Sequence, residues 1–207
     1  VLLWGDLKST YIILILAGTL WLSAVGFLDD YLKVIKKYPN GLIARYKLMG
    51  QVFIGLVVGT VIYFSSDFEG FNTLTTIPFL KNVNLDLSYL YIPAVVFVIT
   101  ATSNAVNLTD GLDGLAAGIS SIASLCLMLL SIYTGYPLAV LLTATLAGSC
   151  LGFLPYNFNP ASIFMGDTGS TFLGFTLGVT SILGLLKSYH LVTIINVSYT
   201  HLTMPTI

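Results

Sequence analysis

Carboxylates are scarce in this sequence, and their positions are informative. Five of the nine acidic residues are Asp29, Asp30, Asp110, Asp113 and Asp167. Asp29 and Asp30 are adjacent, so their charges repel unless a cation or a lysine offsets them. Lys33 follows within helical reach of both. Asp110 and Asp113 stand three apart, which predicts one shared helix face. Asp167 lies in Phe164-Met-Gly-Asp-Thr-Gly-Ser170, where two glycines let the backbone approach a ligand closely. A few hard oxygen donors suit Mg²⁺, which keeps water ligands and shares phosphate oxygens. No Cys/His cluster suggests zinc, and no GxxxxGKS/T or GxGxxG segment is present to hold a nucleotide. Asn104, Asn107, Asn157 and Asn159 stand near the same carboxylates. Amides there read either as ligands for a sugar or base or as turn and capping residues. Phe164 reads as a base-stacking ring or as an interfacial anchor. Cys126 and Cys150 lie in apolar stretches and read as packing residues, and the isolated His190 and His201 take no role.

Composition dictates the elements that must position these residues. The chain is 56% hydrophobic and only 8% charged, with a formal net charge of -1; soluble domains carry roughly 25% charged residues. Mean hydropathy is +0.92. These values exclude a soluble globular enzyme, a disordered chain and a basic nucleic-acid binder. They predict an all-α fold, a polytopic transmembrane helical bundle. A β-barrel is disfavoured because the apolar stretches are continuous rather than alternating. A bilayer core needs about 20 apolar residues per helix. Uncharged stretches of that length predict six spans, at 10–28, 48–66, 88–106, 115–134, 137–155 and 170–187. Gly135-Tyr136-Pro137 divides a stretch too long for one crossing. Five of the eight basic residues (Lys33, Lys36, Lys37, Arg45 and Lys47) follow the first span, which makes that loop cytoplasmic. By alternation, 107–113 and 155–170 are cytoplasmic too. All five named aspartates then sit at cytoplasmic helix ends, so distant parts of the chain deliver carboxylates to one membrane face.

Three segments in order resemble the motifs of the polyprenyl-phosphate N-acetylhexosamine-1-phosphate transferases. They are Asp29-Asp-Tyr-Leu-Lys33, Asn104-Ala-Val-Asn-Leu-Thr-Asp-Gly-Leu-Asp-Gly-Leu115 and Phe164-Met-Gly-Asp-Thr-Gly-Ser170. The resemblance runs to about Lys187. It implies a Mg²⁺-dependent membrane enzyme that moves a phospho-sugar from a UDP-sugar to a polyprenyl phosphate lipid and releases UMP. Gly41-Leu-Ile-Ala-Arg-Tyr-Lys-Leu-Met-Gly-Gln51 and Thr75-Thr-Ile-Pro-Phe-Leu80 look like the muramoyl-pentapeptide branch. Its donor is UDP-MurNAc-pentapeptide and its product is lipid I for peptidoglycan. Pro155-Tyr-Asn-Phe-Asn-Pro-Ala161 and Leu183-Gly-Leu-Leu-Lys187 look more like the UDP-GlcNAc branch that primes teichoic acid and other surface glycans. The first loop is the more diagnostic, so the muramoyl branch leads and the UDP-GlcNAc branch is the alternative.

The resemblance also implies roles. Asp167 would be the Mg²⁺ ligand. Asp29 would be the base, or the residue that orients the lipid phosphate, or a covalent nucleophile; the sequence leaves these open. Asp30, grouped with Asp29 and Asp167 as catalytic, would position phosphates together with Lys33. Asn107, Asp110 and Asp113 would shape the uridine-diphosphate pocket, with Asn157 and Phe164 near the nucleoside. The implied location is a bacterial plasma membrane with the site on the cytoplasmic face, and a homodimer is left open. The family has further spans before and after this segment and, in the muramoyl branch, a downstream histidine-rich motif that is absent here. Residues 1–187 are therefore expected to be a partial transferase domain in a truncated chain, 188–207 a poorly determined end, and 197–207 non-native sequence. A transporter would show ionisable residues in mid-span or inverted repeats, and neither is found. A structural membrane subunit would explain the spans but not three one-sided aspartate motifs.

Overall fold

A membrane interior holds no water to satisfy backbone N–H and C=O groups, so long uncharged runs fold as helices. The computed structural model describes residues 5, 7–65, 74–76 and 84–183. Residues 77–80 of the Thr75–Leu80 segment, His190, His201, residues 184–187 of the sixth predicted span and the 197–207 segment lie outside them. Six helices are described: α1 (Thr10–Val34), α2 (Ala44–Phe64), α3 (Tyr91–Thr109), α4 (Leu115–Thr134), α5 (Pro137–Asn157) and α6 (Gly166–Leu183). The predicted break between the fourth and fifth spans is real. Gly135 ends α4 with a positive φ of 77°, and Pro137 begins α5 at a position where its missing N–H costs nothing. The α2–α3 connection contains two three-residue strands, β1 (Leu74–Thr76) and β2 (Asn84–Asp86). They pair antiparallel, with Leu74 opposite Asp86.

Five segments are long and apolar enough to cross a membrane: Thr10–Val34, Ala44–Phe64, Ser88–Thr109, Leu115–Tyr133 and Pro137–Asn157. Their outward faces are apolar, with Leu20, Phe27, Phe53, Phe64, Phe97 and Leu129 exposed. The described part of α6 is not in that set, and its predicted span, 170–187, runs past the last described residue. It packs against α1, α3, α4 and α5, and Thr171, Leu173 and residues 174–182 are buried on every side of the helix. A helix that meets protein all round needs no lipid-facing apolar surface. α6 instead carries glycines and hydroxyls. Gly174 and Gly178 lie against Thr102 and Ser103 of α3, where any side chain would collide; this is the small-residue spacing by which membrane helices approach closely. Ser170, Thr176 and Ser181 return their hydroxyl protons to carbonyls one turn earlier. Phe175 fills the space beside Gly18 of α1 and, with Leu22, Ile54, Val95 and Ile99, forms the larger apolar core.

At 1.5 Å per residue, the 25 residues of α1 outrun a hydrocarbon core of about 30 Å. Its last turns, with Asp29, Asp30 and Lys33, therefore project toward the same end of the bundle as the starts of α2 and α6.

Candidate active site

Neighbouring residues on a helix point about 100° apart, so Asp29 and Asp30 find different partners. Asp29 is wholly buried. Its Oδ2 pairs with Lys33 Nζ one turn on at 2.6 Å and with Lys47 Nζ, from the first turn of α2, at 2.8 Å. Its Oδ1 accepts the Leu42 N–H at 2.5 Å. The α1–α2 loop closes over this carboxylate at Gly41, where a Cβ would collide with Asp29 Oδ1 and the Lys33 side chain. The same two ammonium groups reach Asp167 Oδ2, Lys33 at 3.2 Å and Lys47 in direct contact. Two carboxylates and two ammoniums thus balance at the membrane edge, the arrangement that makes buried charge tolerable.

Asp30 turns the other way and caps α6. Its Oδ1 accepts the Asp167 N–H at 3.1 Å, while its Oδ2 accepts the Thr168 N–H at 2.9 Å and the Thr168 hydroxyl at 2.6 Å. The first N–H groups of a helix have no internal partner and carry partial positive charge, so an anion here is favoured twice. The expected repulsion between Asp29 and Asp30 is relieved by two lysines on one side and a helix N-terminus on the other.

Asn107, at the end of α3, donates to Asp167 Oδ1 at 2.9 Å and to Ser170 Oγ at 2.8 Å. Behind it, Asn104 and the buried Gln51 exchange hydrogen bonds of 2.8 and 3.3 Å between α3 and α2. Lys47 and Gln51 are the functional-looking residues that sequence reading missed, since Lys47 was absorbed by the topology rule. The signal available was the Lys47-Gly50-Gln51-Ile54 stripe at helical spacing, which faces the bundle.

The expectation that Asp110 and Asp113 share a helix face does not hold. α3 ends at Thr109 and α4 begins at Leu115, so both residues lie in the intervening turn. Gly114 there has φ +76°, a left-handed conformation that ends helical continuity. Asp110 faces Gly166 and the charge of Asp167. Burial and that neighbouring charge push its carboxyl up to about 6. A carboxyl raised in the folded protein stabilises it below its unfolded value, and that contribution is lost as pH rises through the folded value. Without divalent cations, thermal stability in detergent should therefore fall as pH rises from about 4 to about 6, and Asp110→Asn should flatten that slope. An unchanged slope would remove Asp110 from the buried cluster. Asp113 points instead to the α5–α6 loop, as does Asn157, and Phe164 is 73% exposed beyond the cluster.

Carboxylate oxygens of Asp29, Asp30 and Asp167 lie within 4.8 Å of one another. This all-oxygen donor set fits a hard divalent cation such as Mg²⁺ and not a sulfur-preferring one.

Residues 12–185 match the family model described as Glycosyl transferase family 4. The chain is similar to the phospho-N-acetylmuramoyl-pentapeptide-transferase of Chlorobium chlorochromatii (strain CaD3), 45% identical over 198 residues, covering 88% of this chain and 54% of the relative. It is also similar to the proteins of that name from Salinibacter ruber (strain DSM 13855 / M31), 45% identical with 86% and 54% covered, and Chloroherpeton thalassium (strain ATCC 35110 / GB-78), 41% identical with 88% and 54% covered. The chain spans about half the length of the curated relatives it matches.

Proposed function

The chain belongs to glycosyl transferase family 4, and from that premise we propose that it carries the acidic centre of a phospho-MurNAc-pentapeptide transferase. The enzyme moves phospho-MurNAc-pentapeptide from UDP-MurNAc-pentapeptide to polyprenyl phosphate, giving lipid I and UMP. The observation that carries this reading is the pairing of Asp29 and Asp167, from distant helices, through the ammonium groups of Lys33 and Lys47 at one end of the bundle. That end faces the cytoplasm of a bacterial cell by the distribution of basic residues. The names of the relatives favour the muramoyl donor over UDP-GlcNAc.

Both substrates are anions, so the task is to bring phosphates together and hold them. Lys33 and Lys47 can exchange carboxylate oxygens for phosphate oxygens without leaving the site. Asp167, oriented by Asn107 and neighboured by Asp110, would hold Mg²⁺, with water completing the shell. Mg²⁺, when bound, offsets the diphosphate charge and polarises the leaving UMP. Asp29 is buried, with both oxygens engaged, which supports an orienting role over that of attacking nucleophile. Asp30 acts on Asp167 through the α6 N-terminus, fixing where that carboxylate stands.

The test is UMP release by the full-length protein in vesicles with undecaprenyl phosphate, comparing UDP-MurNAc-pentapeptide with UDP-GlcNAc. Preferential release from the muramoyl donor is expected. Preference for UDP-GlcNAc would overturn the donor assignment, and substrate flux without UMP would overturn the transferase reading.

A further inference from the structure

Lys47 and Asn107 reach Asp167 from different helices, Lys47 at its Oδ2 and Asn107 at its Oδ1. One turn farther into the bundle, Gln51 lies four residues after Lys47 on α2, and Asn104 lies three before Asn107 on α3. Gln51 is 2% exposed. Its Oε1 accepts from Asn104 Nδ2 at 2.8 Å, and its Nε2 donates to Asn104 Oδ1 at 3.3 Å. Asn104 Nδ2 also donates to Thr100 O at 2.8 Å, which holds the amide against its own helix. Beyond this pair, α2 meets α3 through glycines. A Cβ on Gly55 would stand 3.0 Å from Val96 Cα, and one on Gly59 would stand 3.3 Å from an Ile92 methyl. Such apolar contact brings the helices close but has no direction. The amide pair does have one. Each amide gives one hydrogen bond to the other and takes one, so a slide or rotation of α2 along α3 strains both.

We propose that Gln51 and Asn104 are positioning residues: their amide pair fixes the register of α2 on α3 and thereby sets Lys47 and Asn107 on the two oxygens of Asp167. The inference rests on the transferase reading above. Over a single turn a helix moves as a rigid rod, so a displacement at the amide layer passes undiminished to Lys47 and Asn107. A misplacement of about 1 Å can cost up to 10²-fold in rate, even when it originates away from the chemistry. Stability alone is a weak reason for two amides in the bundle interior, because interhelical hydrogen bonds in membranes contribute little on average. The pair therefore acts on turnover, through the placement of an ammonium and an amide around one carboxylate.

The test is a double-mutant cycle in the full-length protein on Gln51→Leu and Asn104→Leu. Each single change should lower kcat for UMP release about tenfold, with the KM for the UDP-sugar within about twofold of the wild type. The double variant should be no slower than the worse single one, since either change alone already removes the pair. Losses that multiply to about a hundredfold would mean that the two amides act separately, and would overturn the proposal. So would a lower yield of folded protein whose kcat is unchanged, the mark of a merely structural role. Exchanging the pair, Gln51→Asn with Asn104→Gln, keeps the summed side-chain length. It should return most of the rate that Gln51→Asn alone loses; no recovery would also count against the pair. A further readout needs no substrate. Lys47, held by Asp29 and Asp167, should be acylated slowly relative to the exposed Lys36, and severalfold faster in Gln51→Leu, as read by peptide mass spectrometry. An unchanged ratio of the two rates would overturn the proposal. If the wild type releases no UMP from any UDP-sugar, the transferase reading fails, and the Lys47 labelling still decides whether the amide pair places that side chain.

Discussion

Asp167→Asn in the full-length protein should lower kcat for UMP release by about 10²–10³-fold while leaving membrane insertion and yield unchanged. The substitution keeps the shape of the side chain, and its carbonyl oxygen can still accept from Asn107, now at 2.9 Å from Asp167 Oδ1. What disappears is the charge. The amide NH₂ would then face the ammonium groups of Lys33 and Lys47, donor against donor, where a carboxylate oxygen now accepts from both. A neutral amide is also a poor ligand for a hard cation. The loss should appear in kcat rather than in donor KM, because the cluster acts on charge that moves in the reaction and not on the base or sugar. Turnover within a few-fold of the wild type would remove Asp167 from the chemistry.

Lys47→Ala should be the most damaging single change for stability among the basic residues of the α1–α2 region. It leaves the wholly buried Asp29 with Lys33 as its remaining ammonium partner among the described residues, and it strips Asp167 of one of its two. Removing the sole partner of a buried charge costs about 3–5 kcal/mol; with Lys33 still beside Asp29, that range is an upper bound here. The expected result is a marked fall in the thermal midpoint of the detergent-solubilised protein, with activity lost in parallel. Arg45→Ala, two residues earlier on the exposed side of α2, should change that midpoint little, since surface substitutions usually stay within about 0.5 kcal/mol. Equal effects from the two variants would show that Lys47 serves only to orient the chain in the membrane.

Lys47 also illustrates why part of the site was not legible in advance. The positive-inside rule accounts for all five basic residues near the first loop, so it cannot single out one of them. The side chain matters because α2 happens to turn it toward α1, and that is a packing outcome. Asp30 gives the opposite lesson. Its motif marks it for attention, but only the placement of the α6 N-terminus against α1 makes it a cap for another helix rather than a free phosphate contact. The division of Asp110 from Asp113 likewise rests on the left-handed backbone of Gly114.

Hydropathy and charge counting were sufficient for the long apolar helices and for the gathering of Asp29, Asp110 and Asp167 at one end of the bundle, because the cost of burying charge or bare backbone in lipid is large and depends on each segment alone. Which carboxylate meets which lysine, which one caps α6 and which one ties two loops together was decided by tertiary packing. Those choices turn on rotations of helices about their own axes and on contacts between residues more than a hundred positions apart, and a sequence read segment by segment carries no term for either.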